Sequence, residues 1–320
     1  MLTFYASAAT RSLFLRKYDI VVTETDPPFL CLVGRMIQFL KRSKLICYLQ
    51  DIYPDIAIAM GTIKDGTAAR VLSSQFKRTY NKAQGIVVLS EDMKSHLEKN
   101  VGIDPDKIHV VPNWVDTSLI RPVKSNNDFR NQNECDGKFV VMYSGNLGLT
   151  QNIDLMLDAA EHLEEKDQFH FLVIGDGAGR QKIEQRISES PTPNVKLLGY
   201  QPKDKLAESL SAADVQIVFL DAKIKQFLMP SKIYGILASG TPVILVTDRD
   251  TEIARLVEQN KLGVVLDNES AEDFAAAIVY LSKDKDALAH SGEMAREIAE
   301  QKYDKLVVLR QFENLLQGLA

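Results

Sequence analysis

The sequence predicts an α/β fold of parallel sheets arranged as two domains, and three observations predict it. Short β-branched or aromatic runs alternate with helix-length segments along most of the chain. Two of these runs break at once into glycine, at SGNLG (144–148) and GDGAG (175–179), and each then enters a helix-like segment. Junctions of this kind set anion-binding loops at the ends of parallel strands. The third observation is length, since 320 residues suffice for two domains of ordinary size.

The elements follow in order. Residues 18–24 (YDIVVTE) read as a strand that Pro27-Pro28 breaks. Residues 29–40 have helical spacing and close on Lys41-Arg42; 44–49 is the next strand, ended by Gln50-Asp51 and Pro54. A helix is expected over 68–83 and a strand over 85–89. Ser90 can cap the helix after it, with Met93 where a capping box would place glutamate. A short strand at 108–111 completes a β-α-β-α-β-α-β series. PNWVDTSLIRP (112–122) reads as a linker, with Trp114 in a packing role or against ligand, and the Asn-rich 124–138 as an exposed loop. Beyond it, strands are expected at 139–143, 169–174, 195–198, 215–219, 243–246 and 263–266, with helices between them, a doubly wound pattern. Residues 291–319 read as helical throughout, their last part returning to the first domain. The domains are therefore expected at 1–116, with 301–320 packed back on it, and at 117–300.

Composition narrows the classes. The chain is 45% hydrophobic and 25% charged, ordinary for a globular protein. Three widely spaced cysteines form no metal motif and argue against a disulfide scaffold. No signal-peptide pattern opens the chain and no run of 18 apolar residues occurs, so a cytoplasmic protein is expected. The net charge of −5 divides unevenly: residues 1–82 carry twelve Lys/Arg against six Asp/Glu. Such a basic segment suits an anionic membrane surface, a phosphorylated acceptor, or plain solvent. No nucleic-acid-binding motif is present, and no histidine pair suggests zinc.

The loops carry the chemistry. Gly145, Asn146 and Gly148 in the first, and Gly175 and Gly177 in the second, allow backbone amides to approach phosphate oxygens. Arg180 and Lys182 sit in a helix's first turn, unfavourable against its dipole unless an anion is bound. PSKIYGILASGTPV (230–243) reads as a helix that Ser231 caps, with Lys232 in its first turn, ended by Gly240 and followed by a strand. A lysine and serine at a helix amino end beside glycine loops suit a diphosphate. Thr241 and Glu252 are further candidates for the same cleft, and Asp51 stands at the mouth of a first-domain strand.

Taken together, YSGNLG (143–148), GDGAGR (175–180), NVKLLGYQPKDKL (194–206) and MPSKIYGILASGTPVI (229–244) resemble the family-4 retaining glycosyltransferases of the GT-B fold. Within that family the likeness is to exopolysaccharide, colanic-acid and O-antigen enzymes of bacteria. QDIYPDIAIAMG (50–61) and VPNWVD (111–116) extend it into the first domain. The resemblance implies two Rossmann-like domains facing across a cleft, the second binding a nucleotide sugar and the first an acceptor. It implies no metal or other cofactor, transfer with retention, and frequently a polyprenyl-diphosphate-linked glycan acceptor. The enzyme would then be peripheral at the inner face of the cell membrane. Lys232 and Arg180 would stabilise the departing diphosphate, and Asp51 would stand on the acceptor side.

Three departures from the family pattern qualify it. The usual glutamate pair would fall near Phe227 and at Gly235. The Arg and Lys of the first glycine loop are matched by Asn146 and Gln151, and a common first-domain histidine by Gln50. The family's first strand and its glycine-rich loop would precede Met1, so the first domain is expected to be incomplete. The favoured reading is transfer of a sugar, from a UDP-sugar first of all, to a lipid-linked or saccharide acceptor in cell-surface polysaccharide synthesis. The alternative is a noncatalytic nucleotide-sugar-binding or assembly protein derived from such an enzyme. Nothing in the sequence reads out an oligomeric state.

Overall fold

The computed structural model describes residues 2–123, 125–148, 151–267 and 270–319. Leu149 and Thr150, in the stretch after the first glycine loop, lie outside the described residues. The chain forms two compact units, one comprising residues up to Asn113 with Lys223–Met229 and Val308 onward, the other Trp114–Ala222 with Pro230–Val307.

The first unit runs α1 (Leu2–Phe14), β1 (Ile20–Glu24), α2 (Leu30–Lys41), β2 (Lys44–Tyr48), α3 (Asp55–Ala59), α4 (Thr67–Lys82), β3 (Gly85–Val88), α5 (Glu91–His96) and β4 (Ile108–Val110). Its four strands are parallel in the order β1-β2-β3-β4. Parallel strands need crossovers, and helices supply them, burying β3 on both faces. Ser90 caps α5 by accepting from the Met93 amide, as the sequence leads one to expect.

The second unit runs α6 (Asp128–Gln132), β5 (Phe139–Ser144), α7 (Ile153–Glu161), β6 (Phe169–Ile174), α8 (Arg180–Glu189), β7 (Val195–Leu198), α9 (Leu206–Ser211), β8 (Val215–Phe219), α10 (Lys232–Ala238), β9 (Val243–Val246), α11 (Glu252–Gln259), β10 (Gly263–Leu266), α12 (Ala271–Lys283) and α13 (Lys285–Ile298). Six parallel strands lie in the order β10-β9-β8-β5-β6-β7. The chain winds outward from β5 to β7, then crosses back to β8 and winds the other way. The reversal between β5 and β8 is the switch point of a doubly wound sheet, where a crevice opens at the carboxyl ends of the strands. One face of the sheet is filled by Val141, Tyr143, Phe169, Phe171 and Val215 packed with Ile153, Leu157 and Phe274.

Two expectations are corrected. The polar stretch 124–138 is not a plain loop: it contains α6, which buries Phe129, with Cys135 buried beyond it. Arg130 holds the segment together by donating to the carbonyls of Ala212, Cys135 and Lys138. Residues 291–319 are not one helix. After α13 a wide turn over Ala299–Tyr303 leads to Asp304 in an extended conformation, and α14 (Lys305–Leu319) starts afresh. Asp304 ends one helix and begins the next, since its carboxylate accepts from the Leu306 amide and from the Thr117 hydroxyl. From Val308 onward α14 belongs to the first unit, where Val308, Phe312, Leu315 and Leu316 pack on Ile46, Val87 and Val111.

Candidate functional site

In the second unit, the two glycine loops leave the carboxyl ends of neighbouring strands β5 and β6 and interlock. The Gly145 amide donates to Ile174 O at 2.9 Å, Leu147 N to Asp176 O at 2.8 Å, and Gly179 N to Leu147 O at 2.7 Å. Gly175 has φ +151°, and a Cβ there would stand 1.9 Å from the Gly145 carbonyl oxygen. Glycine at 175 is therefore demanded by the other loop. The amides of Gly175 and Gly177 are also taken, by Leu198 O and by the Asp176 carboxylate. The loops thus spend much of the donor capacity that the sequence suggested for phosphate. The amides of Asn146 and Gly148 donate to nothing among the described residues.

Lys232 reaches this place from the first turn of α10. Its Nζ lies 3.4 Å from the centre of the Tyr143 ring. A Cβ on Gly145 would be 3.3 Å from the same nitrogen. The ammonium is buried and has no hydrogen-bond partner among the described residues. Burial alone lowers its pKa from the ordinary lysine value to about 7. Among the described residues it rests on the π face of Tyr143, which offers it negative potential. The Tyr143 hydroxyl lies 2.8 Å from Asn146 O and 2.9 Å from Gln151 Oε1, fixing the ring under the lysine and bracing the loop from below. Sequence reasoning passed over Tyr143; its signal was an aromatic on the last turn of a strand entering a glycine loop. The arrangement is a preformed, uncompensated cation at the switch point, suited chemically to a bound anion.

The other candidates fall into three groups. Arg180 is engaged by the protein: its guanidinium donates to Gly175 O at 2.6 Å, Leu198 O at 3.3 Å and Glu184 Oε1 at 2.8 Å. Lys182 pairs with Asp154 of α7. The dipole conflict read from the sequence is thus relieved by strand-end carbonyls and carboxylates. Ser231 is exposed and makes no capping bond, because its backbone is already helical, at φ −62° and ψ −26°. Thr241 does not join the glycine loops. It is 2% exposed at the amino end of β9, the opposite rim of the sheet, and its hydroxyl lies 2.9 Å from Ser239 Oγ and 3.3 Å from Leu210 O. Glu252 opens α11 beyond the carboxyl end of β9, half-buried, on the same rim as the loops. Its charge, after burial, raises the Tyr303 phenol to about 12. Gly235, where the family pattern places a glutamate, has open space: a Cβ there would meet only Leu210 Cδ1, at 3.5 Å. Trp114 is 44% exposed, with the Lys305 ammonium 5.4 Å from its ring centre.

In the first unit, Asp51 lies just past the carboxyl end of β2. Its amide and that of Gln50 donate to Thr25 Oγ1 at 3.2 and 2.9 Å. Burial, then the neighbouring Asp26, raises its carboxyl pKa. Asp51 bridges Leu228, and the Ile52 amide donates to Phe227 O at 2.9 Å, so Lys223–Met229 lines this rim. Gln50, in the place of the family's histidine, accepts from Asn113 at 2.7 Å. Among the described residues no group of three or more His, Cys, Asp or Glu is placed to hold a metal ion, and no helix is long and apolar enough to cross a membrane.

Comparison with known proteins places this geometry. Residues 124–303 match the family model described as glycosyl transferases group 1, and residues 1–119 match that of glycosyltransferase family 4. WbjE of Pseudomonas aeruginosa, named as a glycosyltransferase, is 26% identical over 93% of this chain and 74% of its own. WcaI of Escherichia coli K12, named for colanic acid biosynthesis, is 27% identical over 91% of this chain and 72% of its own. Among solved structures, Alr3699/HepE of Anabaena in complex with UDP superposes with a TM-score of 0.79 at 19% identity, covering 99% of this chain and 82% of that one. The likeness shows a GT-B fold with sheets of unequal size, and the family match spans more than half of the sequence. The chain belongs to the group 1 glycosyl transferases and is an enzyme of the GT-B fold.

Proposed function

We propose that the protein transfers a sugar from a nucleotide-sugar donor, a UDP-sugar in the first instance, to a lipid-linked or saccharide acceptor in cell-surface polysaccharide synthesis. One observation carries the donor side: the Lys232 ammonium, buried against Gly145 at the switch point with no hydrogen-bond partner among the described residues. Its natural complement is the diphosphate of a nucleotide, with the Asn146 and Gly148 amides as further donors. The acceptor hydroxyl attacks the anomeric carbon as the bond to the diphosphate breaks, and its proton passes to a leaving phosphate oxygen on the same face. The anomeric configuration is retained and no protein nucleophile is used. Lys232 supports the charge that develops on the departing phosphate. Asp51, its carboxyl raised by burial, is the acceptor-side candidate in the first unit. A polyprenyl-diphosphate-linked acceptor would keep the enzyme at the inner face of the cell membrane.

The test is calorimetric titration with UDP, GDP and ADP, followed by turnover of a matched nucleotide sugar with a lipid-linked acceptor. Saturable binding of one nucleotide, weakened by Lys232→Ala, is the expected result. Absence of binding to folded protein would sink the proposal. Binding without any turnover would select the noncatalytic alternative, which Gly235, where the family pattern has a glutamate, favours.

A further inference from the structure

The helices of the first unit run antiparallel to its strands, so α1, α2 and α4 all end on the amino rim of the sheet, just before β1, β2 and β3. The three ends are tied together. Lys41 donates to Leu15 O, and Gln38 donates to Lys82 O at 2.8 Å. Two things collect there. The first is apolar surface: Phe14 is 90% exposed and Phe39 75%, with Leu15 and Leu40 also exposed beside them. The second is an excess of positive charge: Arg16, Lys17, Lys41, Arg42, Lys44, Arg78, Lys82 and Lys107 stand at these helix ends and strand starts, against Asp19, Asp104 and Asp106. A groove of about 490 Å³ between α2 and α4 is lined by Arg35, Arg78 and Lys82 together with Gln75, Thr79 and Asn81.

Cations in the last turn of a helix are favoured by its dipole, which accounts for Lys41 and Lys82. It does not account for two phenylalanines standing out of the protein among them. Water disfavours those rings, and a protein partner of ordinary composition would bring carboxylates in fixed places rather than a broad negative field. An anionic bilayer meets both demands at once: acyl chains take the rings, and headgroup phosphates take the ammonium and guanidinium groups at the ends of snorkelling stems.

We infer that the amino rim of the first unit is a membrane-docking surface, with Phe14, Leu15, Phe39 and Leu40 entering an anionic bilayer and the Arg35–Arg78–Lys82 groove holding a lipid phosphate. It lies at the opposite end of β2 from Asp51, so it is distinct from the acceptor-side rim. The inference deepens the lipid-linked-acceptor reading and rests on it for its purpose, though the surface stands on its own observations.

The full chain is sedimented with vesicles of phosphatidylcholine alone and with vesicles also containing phosphatidylglycerol, with no acceptor or nucleotide present. Binding to the anionic vesicles only, weakening as salt is raised, is expected. Removing the charge in Arg78→Gln with Lys82→Gln should weaken it by roughly 5-fold per cation. Phe14→Ser with Phe39→Ser should weaken it by about tenfold or more. Thermal melts and a UDP titration of each variant report folding and the donor site separately. Vesicle binding with no UDP binding would leave this surface standing and remove the donor proposal, and the converse would do the opposite. The inference is overturned if the parent shows no preference for anionic vesicles at any salt, or if both variants bind as it does. It is equally overturned if the apolar variant converts a dimer to a monomer while vesicle binding is unchanged, since a second copy then covers this face.

Discussion

Lys232 and Arg180 looked alike in the sequence, two cations each beginning a helix beside a glycine loop, and the structure separates them by their partners. The arginine is bonded to two strand-end carbonyls and a carboxylate, while the lysine has a ring beneath it and, among the described residues, nothing to donate to. Arg180→Ala should therefore lower the melting temperature by several degrees while changing nucleotide affinity less than threefold, since about 1–3 kcal/mol of structural hydrogen bonding is lost. Lys232→Ala should weaken UDP binding by roughly 10- to 100-fold, as expected for one charge-assisted contact. Its pH dependence has a definite sign. Because burial lowers the lysine to about 7, the free protein loses the ammonium above that pH, and a diphosphate must then restore the proton in order to bind. UDP affinity should fall as pH rises past about 7, by up to about tenfold per unit, and Lys232→Arg should flatten the profile. In the unliganded protein the same lysine makes stability rise with pH between about 7 and its unfolded value, since the unfolded chain holds the extra proton there. Sequence showed which residue types were present at the loops. It did not show which of their donors the fold would use up, because that depends on loops 30 residues apart meeting atom to atom.

The elements were more legible than the residues. The strands of the second unit fall on the apolar runs that predict them, since a parallel strand covered on both faces, as β6 and β8 are, needs apolar side chains on both and little else supplies such a run. The helices that sequence missed are those whose signal is short: α6 is anchored by the buried Phe129 amid polar residues, and Asp304 breaks a helical pattern through contacts with Thr117, Val115 and the Leu306 amide. Glycine positions give a paired prediction at this scale. Gly175→Ala should cost more than about 3 kcal/mol or abolish folding, because its Cβ would overlap the Gly145 carbonyl at a left-handed φ. Gly235→Ala, inside α10 with room around it, should stabilise by about 0.5–1 kcal/mol. Denaturant titration of both variants checks the contrast, and equal effects would refute the loop-interlock account of Gly175.

At the scale of the whole molecule, the units differ in charge. The first carries eighteen Lys/Arg against twelve Asp/Glu and the second twenty against thirty-one. A second unit so acidic would repel a nucleotide diphosphate at long range, which makes the local, desolvated cation at Lys232 the more necessary. Because that cation belongs to the second unit, saturating UDP should raise the unfolding transition of this unit, by about 2.7 kcal/mol at a hundred times the dissociation constant. Calorimetric scans with and without UDP check it, and a shift surviving Lys232→Ala would place the nucleotide elsewhere.

The return of α14 has a further consequence, for the order of events at the ribosome. The apolar face of β2 and β3 in the first unit is closed by Val308, Phe312, Leu315 and Leu316 of α14. All of the second unit's strands are synthesised before them. The unit begun first is therefore completed only after the strands of the second, and until α14 emerges Ile46 and Val87 lack this cover. A nascent chain stalled before residue 308 would hold a finished second unit and an unfinished first one, with a sticky surface for chaperones to guard.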